Sequence, residues 1–334
     1  MSSAPDAEQI ARNARWLAQA LDPRAGVVRL IAMDREAYRQ ASFLDDRVLQ
    51  QPAEAQLVPW AIVSEAASRV ERSDARWIFH IGHVGSTLMA RMLGELTNVL
   101  SVREPRFLRD LTAVPAGERG QYSRAAQFLF SRTFARDEIA LVKATSFVSE
   151  IAADLVPPGG GAILMFATPR NYVASILAGE NSVQELKMLA PSRAQRLARR
   201  HIALPEARHE ANGAAIAWAC EMTSLEAAAQ ALPDRRIQWL DFDAFLQSPT
   251  AQLTEAAEFL GFASNGAAAI ATGPLLGRYS KAPEYEYSPA LRRDLIAEAT
   301  ARHGREIDDA LAMLRSAAET SPLLARALAR SGEA

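Results

Sequence analysis

FHIGHVGSTLMARML, residues 79–93, reads as a strand that breaks at a glycine-bearing turn and restarts as a helix. Leu88, Met92 and Leu96 fall on one helical face, with Met89 and Leu93 beside it. Gly85 can take backbone angles that other residues resist. The N–H groups and hydroxyls of Ser86 and Thr87 then stand at the positive end of a helix dipole, which suits an anion. A Walker loop requires G-x-x-x-x-G-K-[ST]. Here Ser86 follows Gly85 directly, so an ordinary ATP or GTP loop is a poor reading. His80, inside the strand, reads as a hydrogen-bonded core histidine.

The surroundings of this stretch repeat its pattern. RWIFHIG (76–82), IALVKATS (139–146), GAILMFAT (161–168) and RIQWLDF (236–242) are short apolar runs, each followed by a helical segment, and NVLSVRE (98–104) is a weaker fifth. Short, nearly continuous apolar runs suit strands buried on both faces of a parallel sheet, and their alternation with helices indicates an α/β layered fold. Ligands in such sheets sit at the carboxyl ends of the strands. Residues 1–75 read as an N-terminal, mostly helical layer. Ala7–Leu21 has helical spacing, GVVRLIAM is a possible strand, and PAEAQLVPWAIVSEAASRVERSDAR is expected to be helical before the polar break at Ser73–Asp74. A helical insert at about 190–232 opens with Arg193, Arg196, Arg199, Arg200, His201, Arg208 and His209. Its spacing fits either a solvated face or a mobile lid over an anionic ligand. SPTAQLTEAAEFLGF carries helix punctuation, with Ser248 as N-cap, Pro249 at the first position and Gly261 at the end.

Composition limits the function classes. The 334 residues are 49% hydrophobic and 23% charged, as in an ordinary soluble globular protein. A net charge of -2 gives no general reason to expect nucleic acid or a membrane surface as partner. Cys220 is the only cysteine, which excludes an internal disulfide or a cysteine-based zinc site and fits a reducing, cytoplasmic setting. The start of the chain lacks the apolar core of a secretory signal, and no run is long enough to span a membrane.

The opening stretch resembles the 5′-phosphosulfate loop of sulfotransferases, P-[KR]-S-G-T-T followed by an apolar helix. The tyrosylprotein branch, R-S-G-T-T-L-M-R-A-M-L, looks closest: Gly85, Ser86, Thr87, Leu88, Met89, Met92 and Leu93 match it, with serine for threonine at 86. Further segments match in the same order over roughly residues 76–290. VREPR (102–106) places Glu104 nineteen residues after Gly85 (104 − 85 = 19), the spacing of that branch's catalytic base, with Arg106 beside it as an acceptor contact. LVKATS resembles the strand ending in a lysine near the transferred sulfonate, here Lys143. ATPRNYVAS (167–175) resembles the 3′-phosphate segment, in which Arg170 and Ser175 would hold that phosphate. IQWLDFDAFLQSPTAQLTEAAEFLGF resembles a fold-building segment. GRYSKAPEYEYSP resembles a late loop whose Ser-Lys pair, here Ser280 and Lys281, lies near the cofactor and reaction centre.

The resemblance implies a three-layer P-loop-like fold with a central, mainly parallel sheet of about five strands. It also implies 3′-phosphoadenosine 5′-phosphosulfate as co-substrate, with no metal required, and sulfuryl transfer to a hydroxyl or amine of a small-molecule or peptide acceptor. His83, Val84, Gly85, Ser86 and Thr87 would hold the 5′ side, Glu104 would act as base, and Lys143 and Ser280 would serve the transfer. Two departures stand out: His83 replaces a family Lys or Arg, and Ala167 replaces the first arginine of the 3′-phosphate segment. Lys281 could compensate for the latter. Those departures leave open a non-catalytic nucleotide or phospho-ligand binder on the same fold. A phosphotransferase with a modified loop is a further alternative, one that lacks an obvious magnesium-binding acidic strand end.

Overall fold

A computed structural model describes residues 4–50, 54–277 and 288–333. Five strands form one parallel sheet: β4 (Arg76–His80), β5 (Val99–Arg103), β6 (Ile139–Lys143), β7 (Gly161–Phe166) and β8 (Arg236–Asp241). Three earlier strands, β1 (Trp16–Asp22), β2 (Val27–Ala32) and β3 (Ala55–Pro59), form a separate antiparallel sheet in the order β1-β2-β3. The parallel sheet runs β5-β6-β4-β7-β8. All five apolar runs therefore become strands. The interior ones earn their continuous hydrophobicity by burial on both faces: every residue of β7 is buried, as are the last four of β4 and of β6. Helices flank the sheet. Ser86–Gly94 packs on β5 and β6, Pro249–Leu260 packs on β7, and Glu210–Gln230 packs against β4 and the Pro169–Leu177 helix. This is the α/β arrangement expected from the alternation.

The order places the functional edge. The chain moves outward from β4 to β5, returns through β6, and crosses β4 to continue as β7 and β8. The strand order reverses beside β4, and its carboxyl end is where such sheets bind ligands. The loop 81–85 leaves the sheet there.

The N-terminal layer differs in detail from its sequence reading. The helix expected over Ala7–Leu21 is only Ala7–Arg12, started by a capping box on Asp6. Arg132 ends it from outside, its guanidinium taking the carbonyls of Ile10, Asn13 and Trp16. The chain is thereby turned, and Trp16–Asp22 pairs with β2 as a strand. Likewise the segment expected to be helical after 52 begins as β3 and becomes helical only over Trp60–Arg69. Tertiary pairing has overridden local spacing in both cases.

The Arg-rich stretch is a solvated face only in part: the Arg199 and Arg208 side chains are 60% and 76% exposed, whereas Arg193 and Arg196 turn inward. Arg193, Arg196 and Arg199 lie on the helix Glu180–Arg199, while Arg200, His201, Arg208 and His209 lie in the connection to the helix Glu210–Gln230; Arg193 and Arg196 are buried. Arg196 makes a bidentate pair with buried Glu221 at 2.7 and 2.9 Å, and also bonds Glu150, which Arg199 and Arg200 reach at 3.0 and 2.8 Å. Burial raises the Glu150 carboxyl, but the charge and hydrogen bonds of Arg196 and Arg200 overcome this and hold it below its usual range. The insert is thus tied to the core by ions. Among the described residues no helix is long and apolar enough to cross a membrane.

Candidate functional site

Backbone strain marks the edge where the functional groups meet. Gly82, His83 and Gly85 have φ of 81, 53 and 59°, so three of four consecutive residues are left-handed. For glycine this is easily tolerated; for His83 it is not. The turn reverses the chain within a few residues and starts the Ser86–Gly94 helix with Gly85 as N-cap. Gly85 has no side chain to cap, so the first-turn N–H groups keep their orientation toward a ligand. Ser86 and Thr87 are 5% and 3% exposed, which puts their hydroxyls inside the site rather than on its rim.

Gly85 has a second reason to be glycine. A Cβ there would lie 2.0 Å from Cε2 of Phe242, whose ring closes against the loop from the end of β8. Gly85→Ala combines a left-handed alanine with overpacking, and should cost about 2–4 kcal/mol in urea unfolding. Adding Phe242→Leu should return part of that loss. A Gly85→Ala protein as stable as the wild type would show that the ring does not wall the loop.

Glu104 ends β5 with φ of 53°, directly before Pro105. Left-handed backbone on a non-glycine residue ahead of proline is uncommon, and such strain concentrates at functional positions. It is held by the Glu104 N–H, which donates to the Lys143 carbonyl at 2.7 Å. That bond extends the β5–β6 ladder, in which Arg103 faces Lys143, by one residue. The same kink swings the carboxylate over the strand ends. There Lys143 Nζ donates to Glu104 Oε1 and, at 3.3 Å, to Thr87 Oγ1. Thr145 Oγ1 donates to Glu104 Oε2 at 3.4 Å, and Arg47 approaches the same oxygen at 3.8 Å. Lys143 is 1% exposed and the Glu104 side chain 10%, so this is a buried pair. His80 sits beside it. Its Nδ1 accepts from Gly82 N–H at 2.9 Å, which leaves Nε2–H to donate to the Ala144 carbonyl at 2.9 Å. His80 is therefore held in the neutral Nε2–H tautomer, as a structural histidine.

The structure thus brings Gly85, Ser86, Thr87, Glu104 and Lys143 together. Val84 is fully buried beneath the loop and can offer only backbone. His83 lies 3.6 Å from Glu185, with its ring edge-on to Tyr172. Three expected residues are placed elsewhere. Arg106 pairs with Asp46 and, at 3.2 Å, with Asp110, away from Glu104. Arg170 faces out to Asp308 at 2.7 Å, and the Ser175 hydroxyl donates within its own helix to the Tyr172 carbonyl at 2.8 Å. Ser280 and Lys281 lie outside the described residues.

Some contributors had no sequence signal. Arg47 and Phe43 come from the N-terminal layer, far upstream. The Arg47 guanidinium lies 3.4 Å from the Phe43 ring centroid and grips Asp45 through two hydrogen bonds at 2.7 and 2.6 Å. Burial raises the Asp45 carboxyl, but those bonds and the nearby charges of Arg47 and Arg109 bring it below its usual range. Arg103, 2% exposed, fixes this layer by capping the carbonyls of Tyr38 and Ala41. Asp241 closes β8 but serves as a helix cap. Its carboxylate caps the next helix by accepting from Asp243 N–H at 2.9 Å, and burial raises it. Among the described residues no group of three His, Cys, Asp or Glu side chains is placed to hold a metal.

These features define an α/β protein with a glycine-bearing strand–helix turn at its switch point and a buried Lys–Glu pair beside it. No family model matches the chain, and no curated protein sequence matches it. Among solved structures it is similar to the sulfotransferase domain from the curacin biosynthetic pathway, at 12% identity over 66% of this chain and 86% of that one, with a TM-score of 0.39. It is also similar to the sulfotransferase domain from the Synechococcus PCC 7002 olefin synthase, at 14% identity over 68% and 94% of the two chains, and to a sulfotransferase from Alicyclobacillus acidocaldarius, at 16% over 70% and 96%. Both have TM-scores of 0.39.

Proposed function

We propose that this protein transfers a sulfuryl group from 3′-phosphoadenosine 5′-phosphosulfate to the hydroxyl or amine of a small-molecule or peptide acceptor. The observation that carries the reading is the convergence of the uncapped helix start at Ser86–Thr87 with Lys143 and Glu104 at one sheet edge. The residues fit the 5′ side of the co-substrate: backbone N–H groups and two hydroxyls for phosphate oxygens, a lysine that already touches Thr87, and His83 alongside. When bound, the co-substrate supplies the activated sulfuryl group. Glu104 takes the proton of the attacking acceptor. Lys143 can move its donors from Glu104 to the developing charge on the phosphate oxygen that leaves, a stabilisation of the kind known from phosphoryl transfer. The same movement frees the carboxylate to act as base. Arg47 and Phe43 line the approach to Glu104 and are the natural acceptor contacts.

Thermal shift with adenosine 3′,5′-bisphosphate, set against ATP with magnesium, tests the reading. A ligand at about 100 times its Kd stabilises by about 2.7 kcal/mol, enough to move the melting temperature by several degrees. Stabilisation by the bisphosphate and not by ATP–magnesium is expected. The reverse preference would favour a phosphotransferase. Bisphosphate binding without turnover of any acceptor would favour a non-catalytic binder.

A further inference from the structure

Ala167, where the family resemblance calls for a phosphate-binding arginine, is fully buried, and its carbonyl accepts from the Trp218 indole at 2.9 Å. A long cationic side chain has no room there. Arg170 pairs with Asp308 and the Ser175 hydroxyl bonds within its own helix, so among the described residues this segment does not offer the cation that an additional dianion requires. A different element brings one to this side.

The Pro289–Ala318 helix starts at Ser288, whose hydroxyl accepts from Leu291 N–H at 3.0 Å. This cap fixes the first turn, from which Arg292 reaches back to the sheet edge. Its guanidinium carbon lies 4.8 Å from the ring centroid of Phe242, the residue that walls Gly85. Its Nε donates to Asp243 Oδ1 at 2.9 Å, and the other oxygen of Asp243 accepts from Asn171 Nδ2 at 2.9 Å. Asn171 belongs to the first turn after Ala167, within the segment that resembles a 3′-phosphate site. Arg292 is thus tied to the ends of β7 and β8 and stacked beside the loop after β4.

The Arg292 side chain is only 11% exposed, yet its Nη2 is buried with no hydrogen-bond partner among the described residues. A buried guanidinium donor left unpaired is costly, and a phosphate oxygen is a group that can pair it. Asp243 orients the guanidinium through Nε and leaves the Nη donors, in the fork geometry that suits phosphate oxygens.

We propose that Arg292 is the cation that holds the 3′-phosphate of the nucleotide, replacing from the C-terminal helix the arginine absent at Ala167. This rests on the sulfuryl-transfer reading. It also implies that docking of that helix completes the nucleotide site.

The test uses the full chain and two probes that differ only in the 3′-phosphate: adenosine 3′,5′-bisphosphate and adenosine 5′-monophosphate. Calorimetric titration of Arg292→Ala should show bisphosphate affinity reduced by about 10–100-fold, the loss of one charge-assisted contact, with monophosphate affinity unchanged. Arg292→Lys should recover part of the loss. Arg292→Ala/Asp243→Asn removes the unpaired carboxylate and should show the same selective loss, which separates phosphate binding from misfolding. Unchanged bisphosphate affinity in Arg292→Ala, or an equal loss for both probes in the double variant, would overturn the assignment while leaving sulfuryl transfer standing. Failure of the wild-type protein to bind the bisphosphate would overturn both.

Discussion

Glu104→Gln should lower sulfuryl transfer by about 10²–10⁴-fold, the range expected when a positioned general base is removed. Glutamine matches glutamate in shape, so the φ 53° turn and the backbone bond to the Lys143 carbonyl stay in place. What disappears is the group able to accept the acceptor's proton, and with it the counter-charge of buried Lys143, so rates are read under conditions in which urea unfolding shows the variant folded. Because Glu104 meets the loop through its neighbours Lys143 and His80, adenosine 3′,5′-bisphosphate should bind with an affinity within about threefold of wild type. The loss then belongs to kcat and kcat/KM together, as for an interaction made only in the transition state. Steady-state kinetics with a 35S-labelled co-substrate and direct titration of the bisphosphate separate these quantities. Wild-type turnover in the variant would remove Glu104 as the base.

Lys143→Met should damage both stability and rate. The lysine is 1% exposed and donates to a carboxylate that is itself nearly buried. Removing it leaves an uncompensated charge inside the protein, which costs about 3–5 kcal/mol when one partner of a buried ion pair is lost. On the proposed function it also removes the cation that would face the leaving phosphate, a loss of about 10²–10³ in rate. The two effects can be separated because they depend on different partners. In the double variant Glu104→Gln/Lys143→Met no buried charge is stranded, so urea unfolding should recover most of the lost stability while transfer stays absent. Equal instability of the single and double variants would show that the lysine acts through packing, for example against the Phe43 ring 5.6 Å away, and not through the pair.

The sheet was legible because burial on both faces leaves a signature in a single stretch of chain. RWIFHIG, IALVKATS and GAILMFAT need no distant partner to be read as interior strands, and the turn at Gly85 follows from a single residue's backbone freedom. Glu104 and Lys143 were legible as residues at strand ends. Their mutual contact was not, since it depends on β5 and β6 being neighbours in register. Sequence spacing failed over Ala7–Leu21, where helical periodicity runs through Ile10, Ala14, Leu17 and Leu21. Arg132, more than a hundred positions away, turns the chain at Asn13, and β2 then offers Trp16–Asp22 a better partner than a continued helix would. Spacing failed again in the Arg-rich insert, because a row of arginines looks the same whether it faces water or a buried Glu221.

The same division runs through the nucleotide side. Local sequence determined where an anion can be held: a glycine that permits φ > 0 and a helix whose first N–H groups have no cap. It also determined that no cation stands at position 167. Only the tertiary structure decided what each charged group does. It turned Arg170 outward to Asp308, drew Arg106 to Asp46 and Asp110, brought Arg47 over Glu104, and carried Arg292 back to Asp243 beside the loop. The physical reason is one of range. Backbone conformation and the burial pattern of a strand are set within a few residues, whereas charges pair over a few ångströms of space between segments that can lie far apart in the chain.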